Sequence, residues 1–238
     1  MNRSRACGRY GTSIDNRPDA VILYVIQLAM HSFEDAIVEM FVTGTPSVLA
    51  DHLDSNQHPA ATEVRYLTNP LKALHCCAKY VGEPLFIFDL PIDENEKLNI
   101  VLRHTKLNDL LLFNLACDYA EHVLPIFEEW NSNDNRPSIL IDSMRSWSIK
   151  NSNDDELRNA RLELTNYRSR QKIRNIPSGP KNVVSTVLVA TNPWAWAKHC
   201  VAAYNAADTA LLAQRTAGNE EFKWQHKHTK RLLTEYAG

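Results

Sequence analysis

The sequence predicts an all-α protein, built as a multi-helix bundle or as stacked helix pairs. Prolines mark the starts of helices, because Arg17-Pro18, Asn69-Pro70, Arg136-Pro137 and Asn192-Pro193 each precede a segment with helical spacing of apolar residues. Proline is tolerated at the first helical position, where its missing N–H would be unpaired in any case. Segments of roughly 10 to 25 residues alternate with short polar linkers, which is typical of helical bundles.

The N-terminal part is predicted to hold helices over 18–42, 46–53, 60–67, 70–81 and about 93–104. In the first of these, apolar residues recur at the three- and four-residue intervals of a helix face. Asp93 and Glu96 have the spacing of an N-terminal capping box. The segment 84–91 is apolar and bounded by prolines, so a short strand or a buried extended segment is expected there.

The second half is predicted to begin with a central helix from about Leu107 to Trp130, which carries a broad apolar stripe. Pro125 lies within this helix and should kink it, because it lacks a backbone donor. The segment 183–190 is β-branched and apolar; a buried helix is expected, and a strand also fits these residue types. The other predicted helices cover 137–149, 155–173, 193–217 and 220–236, with a break at 177–180.

The composition is that of a globular protein, with 44% hydrophobic and 23% charged residues among 238. A single α-helical domain over 1–238 is expected, with a subdivision into 1–105 and 106–238 as the alternative. The net charge of −2 gives no general attraction to nucleic acid or to a membrane surface. No uninterrupted apolar run reaches the roughly 18 residues of a membrane span.

Cysteine and glycine usage exclude several classes of protein. The five cysteines include no C-x-x-C pair, which argues against a disulfide framework or a structural zinc site and favours the cytoplasm. The seven glycines form neither G-x-G-x-x-G nor G-K-[ST], so dinucleotide-binding and P-loop folds lack their signatures. No cofactor is therefore expected.

The central helix carries the residues that could perform chemistry. Asp118 and His122 stand one turn apart and could share a hydrogen bond, as could Cys117 and Glu121. One interpretation makes His122 a general base oriented by Asp118, or makes the group a partial metal site. The other makes the group a helix-stabilising pair beside a core cysteine, and it is favoured because catalytic groups usually converge from several elements.

Charged residues also surround the start of the next predicted helix. These are Arg136 and Arg145, with Asp134 and Asp142. An arginine fork suits a carboxylate, either on a partner or on Glu121 of the preceding helix. An internal brace for the corner between the two helices is an equal expectation. Trp147 is expected in the core and would anchor a partner only if it were exposed.

The histidines and the basic clusters give weaker signals. His226 and His228 are two residues apart and should point to different sides of a solvated helix, so a metal site is not expected. Nucleic acid could bind the basic residues near Tyr167 and Trp224. Acidic residues lie among the first of these clusters, however, and a solvated helix face is favoured.

The C-terminal half resembles a known family. The quoted features are Cys117-Asp-Tyr-Ala-Glu-His-Val-Leu-Pro-Ile-Phe-Glu128, then Asp134-Asn-Arg-Pro137, then Arg145-Ser-Trp147. This spacing resembles the immunity-five-like family of immunity proteins from bacterial polymorphic toxin systems. The alanine-rich segment around 196–213 fits the same pattern more loosely.

The resemblance implies an inhibitor that binds a cognate toxin domain and blocks it without turnover of its own. A membrane partner is not expected, and nucleic acid is disfavoured. The candidates for partner contact are Glu121, His122, Asp134, Arg136 and Arg145. The alternative function is an α-helical enzyme or nucleic-acid-binding protein whose polar site is formed by Asp118, Glu121, His122 and Arg145.

Overall fold

Helices form all the regular structure in the parts of the chain that the computed structural model describes, residues 33–150, 154–169, 176–192 and 199–237. No strand occurs in these ranges, so the predicted all-α class is confirmed. The helix starts predicted at Pro18 and Pro193 lie outside the described residues.

The first half of the described chain contains five α-helices and two 3-10 helices. The α-helices are α1 (33–43), α2 (Pro46–Ser55), α3 (Ala61–Arg65), α4 (Pro70–Cys77) and α5 (Glu94–His104). The 3-10 helices, Ala78–Tyr80 and Pro84–Asp89, lie between α4 and α5.

The second half contains seven α-helices in its described ranges. They are α6 (Asp109–His122), α7 (Leu124–Trp130), α8 (Arg136–Lys150), α9 (Asp154–Ser169), α10 (Ser178–Ala190), α11 (His199–Ala217) and α12 (Asn219–Ala237).

Local capping explains why several helices begin where the sequence predicts. The Asn69 side chain accepts hydrogen bonds from the backbone N–H of Leu71 and Lys72, which opens α4. Asp93 accepts from the N–H of Asn95 and opens α5. Each cap satisfies donors that the first helical turn would otherwise leave unpaired.

Two expectations about local structure are wrong. The segment predicted as a strand or extended piece at 84–91 is mostly the 3-10 helix Pro84–Asp89, which proline opens with its fixed φ. The predicted break at 177–180 is instead the start of a helix. Helix α10 begins at Ser178 and contains Pro180 in its first turn, where a missing N–H costs nothing.

The central helix is interrupted near its proline. Helix α6 ends at His122 and α7 begins at Leu124, with Pro125 in the first turn of α7. The predicted kink is therefore a complete break between two helices. The stretch Asp109–Trp130 is long enough for a membrane span and contains an 18-residue window of matching mean hydropathy, but 61% of that window is buried inside the protein, as in the central helix of a core.

Helix α6 lies at the centre of the second half, where α8, α10, α11 and α12 pack against it. Tyr119 and Phe127 are among the largest fully buried side chains. Small residues let α11 approach α10 and α6 closely, because its inward stripe consists of alanines. These are Ala202, Ala206, Ala210 and Ala213. The N-terminal helices join this assembly through α5, which packs against α11, and through the 3-10 helix Pro84–Asp89, which packs against α12.

Candidate functional site

Helix α6 exposes only a narrow strip of its surface. Most of its residues are buried, whereas Asn114 and Asp118 are partly exposed and Glu121 and His122 are exposed. These positions are three and four residues apart, so they lie along one face of the helix. Helix α8 contributes one side chain beside this surface, and α12 contributes several. We use the name α6 strip for the group formed by Asp118, Glu121 and His122 of α6, Arg145 of α8, and Glu221, Trp224 and His228 of α12.

Arg145 of α8 joins two carboxylates of α6. Its Nη2 donates to Asp118 Oδ1 at 2.8 Å and to Glu121 Oε2 at 2.6 Å. A guanidinium that bridges two acids fixes both rotamers and neutralises half of their charge. The side chain of Glu121 remains 55% exposed, so one edge of this cluster faces solvent.

His228 of α12 binds the second oxygen of Asp118. Its Nε2 lies 2.7 Å from Asp118 Oδ2, and Arg231 Nη2 lies 3.3 Å from its Nδ1. Asp118 therefore has one oxygen on α8 and the other on α12, and it ties three helices together. The expected hydrogen bond between Asp118 and His122 is replaced by these two contacts.

His122 pairs instead with a buried carboxylate of α12. His122 Nδ1 lies 2.5 Å from Glu221 Oε2, and Gln225 Nε2 donates to Glu221 Oε1 at 2.8 Å. The side chain of Glu221 is 1% exposed and that of His122 is 40% exposed. A buried charge is costly without partners, so these two contacts are what make a glutamate acceptable at this position.

Trp224 separates the two imidazoles and fixes their orientation. Its ring stacks on His122 with centroids 3.6 Å apart and on His228 with centroids 4.6 Å apart, and the rings of both pairs are nearly parallel. Each imidazole is thus held on one side by an aromatic face and at one nitrogen by a carboxylate. The α6 strip is rigid because every ring and acid in it has a fixed partner.

The neighbouring cysteine and tyrosine of α6 are structural. Burial raises the pKa of the Cys117 thiol to about 12, so it stays protonated and is not an activated nucleophile. Burial also raises the pKa of Tyr119, whose hydroxyl lies 2.6 Å from Thr229 Oγ1 in the core between α6 and α12. Neither group offers reactive chemistry at neutral pH.

Asp134 and Arg136 lie at the other end of α8. The Arg136 Nε and Nη2 donate to the two oxygens of Asp134 at 2.7 and 2.5 Å. The Arg136 guanidinium also lies 3.8 Å from the centre of the Tyr167 ring. Hydrogen bonding from Arg136 lowers the pKa of Asp134. This pair braces the corner between α7 and α8, one of the two roles that the sequence leaves open.

The structure brings together three of the five predicted contact residues. Glu121, His122 and Arg145 belong to the α6 strip, whereas Asp134 and Arg136 do not join it. Arg136 and Arg145 are nine residues apart on α8, which corresponds to roughly 13 Å along the helix axis.

The contribution of α12 to the α6 strip was not predicted from the sequence. Glu221, Trp224 and His228 follow at intervals of three and four residues, so they form one stripe that faces α6. This spacing could have been used to predict that the three side chains lie on one face of α12. The expectation of a solvated helix around His226 and His228 is wrong, because both are largely buried. They do point to different sides, since His226 Nε2 lies 2.5 Å from Glu94 Oε2 of α5.

The described residues contain no group of three or more His, Cys, Asp or Glu side chains that could hold a metal ion. Two of the basic residues on α12 have carboxylates on their own helix: Lys223 Nζ lies 2.7 Å from Glu220, and Arg231 Nη1 lies 2.7 Å from Glu235. Such local pairs are typical of a solvated helix face.

Comparison with known proteins gives one match. The model of the Imm-5 like putative immunity protein family matches residues 105–232, more than half of the chain. The matched range contains all the residues of the α6 strip. No curated protein and no solved structure matches the sequence.

Proposed function

The chain belongs to the Imm-5 like putative immunity protein family, and we propose on this basis that it binds a cognate bacterial toxin domain and neutralises it by forming a stoichiometric complex. The observation that carries the proposal is the family match over 105–232. An inhibitor of this kind acts by occupancy and needs no turnover of its own. We further propose that it acts in the cytoplasm, where the toxin would otherwise reach its target.

We propose the α6 strip as the face that contacts the toxin. Its side chains are charged, partly exposed and already held in one arrangement, so little conformational entropy is lost on binding. Arginine is also enriched among the residues that dominate binding energies. Glu121 and Arg145 offer charges to a partner, and His122 offers the ring nitrogen that Glu221 does not occupy.

We assign Asp134 and Arg136 a supporting role in this function. The side chain of Asp134 is only 8% exposed, and both of its oxygens bind Arg136. A partner could reach it only by breaking this pair. We therefore expect the two residues to set the position of α8, and through it the position of Arg145.

We expect a toxin domain to be encoded beside this gene, and the experiment is co-expression of the two. We expect a one-to-one complex by light scattering and protection of cells that express the toxin. Glu121→Lys and Arg145→Glu should each weaken the complex at least tenfold, which is about 1.4 kcal/mol. Glu83→Lys is the matched control, because Glu83 is exposed and lies outside the family match.

The outcomes separate the two parts of the proposal. Absence of both complex and protection would contradict the immunity function. A stable complex that tolerates both substitutions in the α6 strip would leave the function in place and contradict the assigned face.

The alternative function, an enzyme or nucleic-acid site at Asp118, Glu121, His122 and Arg145, requires these four groups to converge. Only three of them share hydrogen bonds, because His122 pairs with Glu221. Both oxygens of Asp118 are occupied by protein groups. No contact in the α6 strip favours this alternative over partner binding.

A further inference from the structure

Helix α11 carries an exposed apolar stripe on the side that faces away from α6 and α10. Val201, Tyr204 and Leu211 are 36%, 51% and 41% exposed. With Asp208 and Arg215 they follow spacings of three, four, three and four residues. This is the a/d spacing of a coiled coil, in which residues at these positions pack against a second helix. Single exposed apolar residues are ordinary, whereas a row of them along one helix marks a contact surface.

A groove lies on each side of this stripe. The larger has a volume of about 440 Å³, and its lining includes Val201, Tyr204 and Asp208 together with residues of α9 and the end of α10. The smaller has a volume of about 370 Å³ and separates the stripe from α5. The side-chain ridges of a second helix can pack into the two grooves that flank this stripe.

The wall of the larger groove is positively charged. Arg161 and Arg168 of α9 both line it, with Thr165 between them. The two arginines are seven residues apart, so they lie on one helix face and are separated by roughly 10 Å along the axis. Asp208 does not compensate for them, because its Oδ1 binds Arg103 Nη2 of α5 at 2.5 Å.

Arg161 has neutral hydrogen-bond partners among the described residues. Its Nη1 donates to the carbonyl oxygens of Leu188 and Thr191 at 2.7 and 3.0 Å, at the end of α10. Burial lowers the pKa of Arg161, and no acidic partner offsets this effect in the described parts of the chain. A carboxylate placed in the groove would therefore add an ion pair to Arg161, whereas its acceptors within the described residues are neutral oxygens.

We propose that the α11 stripe and the larger groove bind an amphipathic helix of another protein, with its apolar edge on Tyr204 and Leu211 and with carboxylates two turns apart beside Arg161 and Arg168. The stripe extends over 201–215, about 21 Å, which accommodates roughly four turns of such a helix. Binding of a helix in an apolar groove is a recurring mode of recognition. The proposal does not depend on the toxin-neutralising function.

A second copy of this chain fits the surface less well. Along its own stripe the only acidic group is Asp208, and that carboxylate is bound by Arg103. Two copies packed through α11 would thus leave Arg161 and Arg168 without acids. Charge complementarity favours a partner helix that is acidic along one edge.

The test is a selection from a displayed library of 18-residue helices, randomised on one face, against the full-length protein. We expect enrichment of apolar residues at a/d spacing with Glu or Asp seven residues apart. A synthetic peptide of the enriched sequence should bind, and Arg168→Glu should weaken it at least tenfold. Exchanging the facing glutamate of the peptide for arginine should restore binding to that variant, since the charges are then reversed together.

Leu211→Glu should abolish binding, whereas Ile139→Glu should not change it. Ile139 is 44% exposed on α8 and serves as the matched control for an exposed aliphatic residue. Circular dichroism checks that both variants keep their helical content. The proposal is overturned if no helix is enriched, if lysine-bearing helices bind equally well, or if binding survives Leu211→Glu. A concentration-dependent dimer that Leu211→Glu disrupts would also overturn it in favour of a second copy.

Discussion

Removing the imidazole of His122 should lower the free energy of unfolding, because the buried carboxylate of Glu221 then loses one of its two partners. In the native protein Glu221 has two contacts, one from His122 and one from Gln225, and its side chain is almost completely buried. His122→Ala leaves Oε2 without a protein partner. A buried acceptor that loses a charge-assisted hydrogen bond destabilises the fold by about 1.5–3 kcal/mol.

The stacking contact adds to this loss. His122 and Trp224 lie face to face with centroids 3.6 Å apart, and an aromatic pair of this kind contributes about 0.5–1.5 kcal/mol. Water offsets part of both terms, because the side chain of His122 is 40% exposed and its removal opens a path to the carboxylate. We therefore expect a total loss near the lower limit, about 2 kcal/mol, which lowers the melting temperature by roughly 4–8 °C for a protein of this size.

A double-mutant cycle identifies the carboxylate as the cause. Glu221→Gln keeps the shape and removes the charge, so it should cost about 1 kcal/mol or less. In the Glu221→Gln background, His122→Ala should then cost at least about 1 kcal/mol less than it does in the native protein. Urea unfolding followed by circular dichroism measures all four free energies of unfolding.

The matched control is His52→Ala, which removes a half-exposed histidine of α2 whose ring contacts the side chain of Asn56. It should change the free energy of unfolding by about 0.5 kcal/mol at most. Additive effects of His122→Ala and Glu221→Gln would refute the reasoning, because independent losses would mean that the carboxylate does not depend on the imidazole.

Three further predictions concern pH and backbone conformation. A hydrogen bond from Arg136 lowers the pKa of Asp134 below 3.8. The stability from this pair is therefore complete above pH 3.8 and is lost as the pH falls through the folded-state pKa. Asp134→Asn should make the unfolding free energy depend less on pH in this acidic range. Burial, with His75 nearby, lowers the pKa of His104 below 6.5, so the unfolded chain binds its proton first and stability declines as the pH falls below 6.5. His104→Gln should reduce that decline, measured as the difference in unfolding free energy between acidic and neutral buffer. Gly218 has a φ of +78°, and nothing lies within 4 Å of the position that a Cβ would take, so Gly218→Ala should cost roughly 1–2 kcal/mol from backbone strain alone, measured by urea unfolding.

Most helix boundaries could be predicted because local residues determine them. Asn69 and Asp93 cap helices through hydrogen bonds to N–H groups two or three residues away, and proline opens α2 within the same short range. No distant contact is needed for these decisions. The segment 84–91 was mispredicted because an apolar run of that length has no period that separates strand from helix. Contacts of Phe88 with His226 and Lys230 of α12 hold it in place, and these are long-range.

Within the α6 strip, only the contacts between α6 and α8 could be predicted from the sequence. Arg145 lies on α8, only one short helix and one loop after Glu121, so an arginine fork for the acids of α6 was a reasonable expectation. The pairing of His122 with Glu221 spans 99 residues, and nothing local selects Glu221 among the 28 acidic residues of the chain. Its burial is the decisive property, and burial depends on how α12 packs against α6.

The exposed residues of the α6 strip contribute little to folding, whereas its buried glutamate is important for stability. Arg145 is 37% and Glu121 is 55% exposed, and ion pairs in such positions contribute about 0–1 kcal/mol to folding. Glu221 is buried, so its loss of a partner affects the fold itself. Substitutions at Arg145 or Glu121 that abolish toxin binding would therefore report on contact with the partner. Substitutions at Glu221 would reduce binding only through the orientation of His122, and the Glu221→Gln variant, which can still accept from Nδ1, should retain most of it.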